Sequence, residues 1–132
     1  PLPGAEESIA ELARLGCRIA FTSGFSTRTA RSVLDRVGWR RFPVIASDAV
    51  PRGRPAPDMI HAAMRLAEVG DPERVGVAGD TPADLQAAAA ARCRLIIGVG
   101  HGSHTIAELA PHPHTHLEGD LTRLMEIVHG AV

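Results

Sequence analysis

Short apolar runs alternate along the chain with longer stretches in which apolar residues recur every three or four positions. The runs read as strands: residues 17–23 (CRIAFTS), 43–47 (PVIAS), 74–80 (RVGVAGD) and 93–99 (CRLIIGV), with 115–118 (THLE) as an edge strand. Continuous apolar runs of this length suit strands buried on both faces of a parallel sheet.

The intervening stretches read as helices. Residues 5–16 (AEESIAELARLG) carry Ile9, Leu12, Ala13 and Leu15 on one stripe, with Gly16 as a stop. Residues 26–38 (STRTARSVLDRVG) open with Ser26 as a cap and close at Gly38. Residues 56–70 (APDMIHAAMRLAEVG) have Pro57 near the first turn and Gly70 at the end. Residues 82–93 (PADLQAAAAARC) carry an alanine tract suited to tight packing on a sheet. Residues 120–130 (DLTRLMEIVHG) close the chain with Asp120 as the expected cap. Strand–helix alternation of this kind predicts an α/β fold: a Rossmann-like, doubly wound parallel sheet with helices on both faces.

Length and charge narrow the picture. With 132 residues, no internal repeat and no low-complexity linker, the chain reads as a single α/β core domain over 1–132. The formal net charge of −1 supplies no field to draw the chain to nucleic acid or to a membrane surface. No apolar run approaches the ~18–20 residues of a membrane span. Cys17 and Cys93 each open an apolar run, which reads as buried free thiols and a reducing, cytoplasmic setting. The chain starts PLPGAEESIAEL, without an initiating Met, and reads as a linker leading into a helix, as though entered midway.

In doubly wound sheets ligands bind beyond the carboxyl ends of the strands. Three of those ends carry polar groups suited to chemistry. At Thr22-Ser23-Gly24, hydroxyls and free N–H groups ahead of a helix suit an anionic oxygen, and equally suit a helix cap. In SDAVPRGRPAPD, Arg54 sits between Gly53 and Pro55 just before a helix; a guanidinium matches two phosphate oxygens, and a solvated turn is the plainer reading. In GDTPAD, Asp80 ends a strand and Asp84 follows one helical turn later, a pairing that suits Mg²⁺ with phosphate and water, or simple capping of the next helix. Together, a hydroxyl, an arginine and two acids on successive strand ends describe a phosphate-plus-magnesium site.

These motifs resemble those of the haloacid dehalogenase superfamily of hydrolases. RIAFTSG with Ser23 is similar to its second motif, Arg54 in GRPAPD to its third, and GDTPAD with Asp80 and Asp84 to its GDxxxD fourth. SDAVPRGRPAPDMI, TSGFSTRT and APHPHTH are similar to the phosphonatase-like, phosphonoacetaldehyde hydrolase-like subgroup, with Arg54 where many relatives have Lys. The resemblance implies a Mg²⁺-dependent hydrolase of a small phosphonate or phosphate ester, working through an aspartyl-phosphate. Asp80 and Asp84 would serve the metal, Ser23, Gly24 and Arg54 would bind phosphate, and Arg54, Asp80 and Asp84 would act in catalysis. A phosphoglycolate-type or sugar phosphatase of the same fold is the alternative enzyme. A non-catalytic module that binds a phosphorylated ligand or a partner protein is the alternative outside enzymes.

The departure from the family concerns its first motif, DxDxT, which supplies the nucleophilic Asp. The only acids before Ser23 are Glu6, Glu7 and Glu11, all on an expected helix. The resemblance therefore implies that the first strand and the cap precede position 1, that this chain alone does not turn over, and that it self-associates through a sheet edge left open beside Ser23 and Asp80. Other signals are discounted. The seven histidines read as surface and loop residues, GVGHGS at 98–103 as a strand-exit turn near the phosphate site, and Trp39 as a helix-end anchor.

Overall fold

The computed structural model describes residues 3–131. Helix α1 (Ala5–Arg14) leads to strand β1 (Phe21–Ser23), helix α2 (Thr27–Val37) and strand β2 (Val44–Ala46). Helix α3 (Asp58–Leu66), strand β3 (Gly76–Gly79), helix α4 (Pro82–Ala90) and strand β4 (Leu95–Val99) follow. Helix α5 (Ile106–Leu109), strand β5 (His116–Glu118) and helix α6 (Leu124–Ala131) complete the described chain.

All strand pairs are parallel, as the apolar runs imply, and they form two half-sheets. One is β1–β2, with Phe21 opposite Val44 and Ser23 opposite Ala46. The other is β3–β4–β5, with Gly79 opposite Gly98 and Gly98 opposite Leu117. Among the described residues only β4 pairs on both sides; β1, β2, β3 and β5 each pair on one. Helix α3 joins the halves: it packs on β1 and β2, while its Ile60 belongs to the core built around α4 and β4.

Strand β4 is the best covered. Ile96 packs with Leu85, Ala88 and Leu109 on one face, and Ile97 and Val99 pack with Ile127 on the other. That alternation is the two-residue period of a strand buried on both faces. The alanine tract lets α4 lie close: Ala87, Ala88 and Ala91 are all buried there.

Local signals set several boundaries. Ser26 caps α2 through the Thr29 N–H, and Gly38 ends it at φ 82°, a left-handed conformation that glycine adopts without steric cost. Elsewhere tertiary context shifts the expected limits. Residues 17–20 lie outside β1, because β2 offers partners only from Val44 onward. Helix α3 ends at Leu66 rather than near Gly70, because Glu68 turns left-handed at φ 58°. Asp120 does not cap α6; it accepts from the Thr122 N–H at 2.9 Å, in a turn ahead of the helix. Helix α5 goes unforeseen, although Thr105 and Glu108 form a full capping box. Cys93 is buried as expected and Cys17 is exposed, since the run it opens does not enter the sheet at that point; both thiols are free. No described helix is long and apolar enough to cross a membrane. Trp39 anchors the end of α2 by stacking on Phe21, ring centroids 5.5 Å apart.

Candidate active site

The carboxyl ends of β1 and β2 are laced together. Ser23 Oγ accepts from the Phe25 N–H at 3.0 Å, which turns the chain sharply into α2. The Ser47 hydroxyl lies 3.0 Å from the Gly24 carbonyl and 3.2 Å from that of Phe25. Asp48 accepts from the Thr27 N–H and, at 2.6 Å, from the Thr27 hydroxyl. Those donors, the hydroxyl first, hold the Asp48 carboxyl below its ordinary value of 3.8. Asp48 lies inside SDAVPRGRPAPD but has no local signal of its own; an acid following a strand end opposite a hydroxyl-rich turn is visible only once β1 and β2 are paired.

Arg54 reaches from the loop before α3 to the first turn of α4, where its Nη1 is ion-paired with Asp84 Oδ1. The two side chains are 27% and 12% exposed, so the pair is largely withdrawn from water. Its other terminal nitrogen lies against Gly24. Nearby, Arg52 and Asp58, 2.9 Å apart, fasten the same loop to α3.

Asp84 is fully engaged. Its Oδ2 accepts from the N–H groups of Asp80 and Thr81, each at 3.1 Å, while its own N–H donates to Thr81 Oγ1 at 3.2 Å. This is a capping box, made possible by the three-residue spacing of Thr81 and Asp84. The capping reading of GDTPAD is thus met by Thr81 and Asp84, and Asp84 also carries the ion pair to Arg54. Asp80 differs. Among the described residues its carboxylate accepts one hydrogen bond, from the Ser103 N–H to Oδ2 at 3.4 Å.

Three glycines make these approaches possible, and none has a positive φ, so space rather than backbone freedom explains them. A Cβ at Gly24 would strike the Arg54 guanidinium. One at Gly79 would stand 2.8 Å from Asp84 Oδ2. One at Gly102 would stand 2.6 Å from Asp80 Cγ. Gly24, Arg54, Asp84 and Asp80 thus form one continuous chain of contacts across the two half-sheets, with Ser23 next to Gly24 at its β1 end.

The donor set fits Mg²⁺ in its usual protein role. Mg²⁺ takes one or two carboxylates, keeps several waters and shares phosphate oxygens, and Asp80 offers a carboxylate oxygen without a donor among the described residues. No cluster of three or more His, Cys, Asp or Glu side chains suited to a metal occurs among the described residues. A groove of about 690 Å³ opens at the other end of β4 and β5, among Arg94, Thr115, His116, Arg123 and Glu126. Its charged groups are largely paired with one another, and it holds none of the strand-end residues.

Residues 1–92 match the haloacid dehalogenase-like hydrolase family. This chain belongs to that family. The chain is 33% identical over 110 residues, 81% of its own length, to a phosphonoacetaldehyde hydrolase of Bacteroides fragilis. It is 31% identical over 114 residues, 83% of its length, to a phosphoglycolate phosphatase of Pseudomonas savastanoi pv. phaseolicola. The matched region spans 41% of each relative. A crystal structure of a hydrolase from Pseudomonas syringae superimposes with a TM-score of 0.87 at 23% identity, covering 98% of this chain and 59% of that one. That likeness establishes the family's Rossmann-like fold for the two half-sheets described above.

Proposed function

We propose that residues 1–132 form one α/β unit carrying the phosphate- and metal-binding part of a hydrolase for a small phosphonate or phosphate ester. The observation that carries this reading is the contact chain Gly24–Arg54–Asp84–Asp80, which gathers a guanidinium and, at Asp80, a carboxylate that accepts a single hydrogen bond among the described residues.

Each residue has a distinct task in this reading. The Gly24 N–H and the Ser23 hydroxyl bind phosphoryl oxygens as they leave β1. Arg54 uses the N–H groups not spent on Asp84 to offset phosphoryl charge. Asp84 fixes the guanidinium and the first turn of α4. Asp80 would hold the metal, directly or through water, with Asp84 in support. Bound Mg²⁺ would supply charge neutralisation between phosphate and attacking group. The covalent step is assigned to the aspartate that the family resemblance implies, a role that none of the described residues fills. The relatives named above support both substrate classes, phosphonate and phosphate ester. Two free thiols support a cytoplasmic setting.

Titrating inorganic phosphate into the protein in 10 mM Mg²⁺ tests the reading. Binding should weaken at least about tenfold, ~1.4 kcal/mol, in Arg54→Ala. Equal affinity of the two proteins, or no binding by the parent, overturns it.

A further inference from the structure

We propose that the turn from Gly100 to His104 positions the Asp80 carboxylate, with Gly102 and the Ser103 N–H as the contacting groups. This inference rests on the reading of Asp80 as the metal-holding residue and deepens it.

The turn is anchored at both ends. At its start the Gly100 N–H donates to the Glu118 carbonyl of β5 at 2.8 Å. Gly100 also packs so closely on Ile106 that a Cβ would stand 2.8 Å from the Ile106 nitrogen. At its end the Thr105–Glu108 capping box, with bonds of 2.9 and 3.2 Å, fixes the start of α5. Leu109, fully buried, holds α5 to the core. The Ser103 hydroxyl lies 2.8 Å from His104 Nδ1, on the exposed side of the turn.

Held in this way, Gly102 closely approaches the Asp80 side chain. An added Cβ would sit 2.6 Å from Asp80 Cγ and 2.7 Å from Asp80 Cβ, and would overlap Oδ2. Gly102 has no positive φ, so its lack of a side chain is needed only for this approach. The Ser103 N–H adds a long hydrogen bond to the same Oδ2. Contact and hydrogen bond both fall on Oδ2, so the turn selects one side-chain rotamer and leaves Oδ1 without a partner among the described residues. A carboxylate held in one orientation binds a cation without first giving up rotamer freedom, the advantage of a preorganised ligand.

Two readouts test the proposal on the parent protein, Gly102→Ala and Ser103→Ala. The first needs no metal: three-bond couplings from Asp80 Cγ to its backbone nitrogen and carbonyl carbon report χ1. A single rotamer is expected in the parent and in Ser103→Ala, which keeps the N–H. Averaged or shifted couplings are expected in Gly102→Ala. Rotamer averaging in the parent, or unchanged couplings in Gly102→Ala, overturns the proposal, and the parent measurement alone decides should Gly102→Ala fail to fold. The second is Mn²⁺ binding followed by loss of the free-ion EPR signal. At least fivefold weaker binding is expected in Gly102→Ala, with Ser103→Ala within twofold of the parent. Equal Mn²⁺ affinity of Gly102→Ala and parent overturns the functional role of the turn. A parent with one rotamer and no Mn²⁺ binding overturns the metal reading of Asp80 while supporting the positioning contact.

Discussion

Removing the Asp84 carboxylate should cost more stability than any other substitution of a charged residue at the strand ends. In Asp84→Ala the N–H groups of Asp80 and Thr81 lose their shared acceptor, and Arg54 loses its ion-pair partner. The capping half contributes about 1 kcal/mol, the usual cost of losing a cap. Breaking a fully buried ion pair costs about 3–5 kcal/mol. Here Arg54 is 27% exposed, so water reaches the orphaned guanidinium and the pair is worth about 1–2 kcal/mol. The total is about 2–3 kcal/mol, or a fall in Tm of roughly 6–15 °C for a chain of this size. Asp84→Asn keeps an oxygen for the two N–H groups and loses the charge, so about half that loss is expected. A double-mutant cycle with Arg54→Met, read by urea unfolding, isolates the pair; a coupling of about 1–2 kcal/mol is expected and should survive 1 M NaCl, which screens surface pairs. Coupling below ~0.3 kcal/mol, the additivity limit of distant sites, would refute the argument that this pair ties the two half-sheets together.

The two thiols should separate cleanly: at about pH 8 iodoacetamide should label exposed Cys17 and spare Cys93, whose thiol burial pushes up to about 11, and mass spectrometry showing equal labelling would contradict this. Asp48, held below 3.8 mainly by the Thr27 hydroxyl, contributes stability that is present above its unfolded value and lost as pH falls through its folded one. The Tm gap between the parent and Asp48→Asn should therefore narrow as pH falls below the ordinary carboxylate range of about 4, and a constant gap would remove the assigned bond. Leu85→Ala, at a fully buried position in the core around β4, should lose about 2–5 kcal/mol in urea unfolding, and a loss under 1 kcal/mol would mean that α4 is not packed as described. Strands β1 and β3 each present an edge with no partner among the described residues, and such edges pair with other chains, so light scattering should show concentration-dependent association; a monodisperse monomer at high concentration would refute it.

How far the sequence reaches depends on whether a feature is decided locally. The helix from Ser26 to Gly38 is legible to within a residue because its cap and its stop are side-chain and backbone properties of those residues themselves. The start of β1 is not, because residues 17–20 are as apolar as a strand requires and what they lack is a partner across from them. The same distinction divides the sheet. Apolar runs report that a strand is covered above and below, which β4 is, with Ile96 on one face and Ile97 and Val99 on the other. They say nothing of what lies beside a strand, so the separation of β1–β2 from β3–β4–β5 has no signature in hydrophobicity. At the candidate site, residue type carries the information: a hydroxyl, an arginine and two carboxylates at strand ends are rare enough together to mark the place. Their division of labour is tertiary. Asp80 and Asp84 look alike in GDTPAD, yet Asp84 spends both oxygens on Arg54 and two N–H groups while Asp80, among the described residues, accepts on Oδ2 alone. Gly102 is similar: in GVGHGS it reads as one glycine of a turn, and only the approach of that turn to Asp80 shows why no side chain fits. A close backbone approach is one of the few demands that only glycine meets at an ordinary φ. Glycines that flank strand ends, as Gly24, Gly79 and Gly102 do, are therefore the positions in a sequence of this fold where contact with a charged side chain is worth seeking.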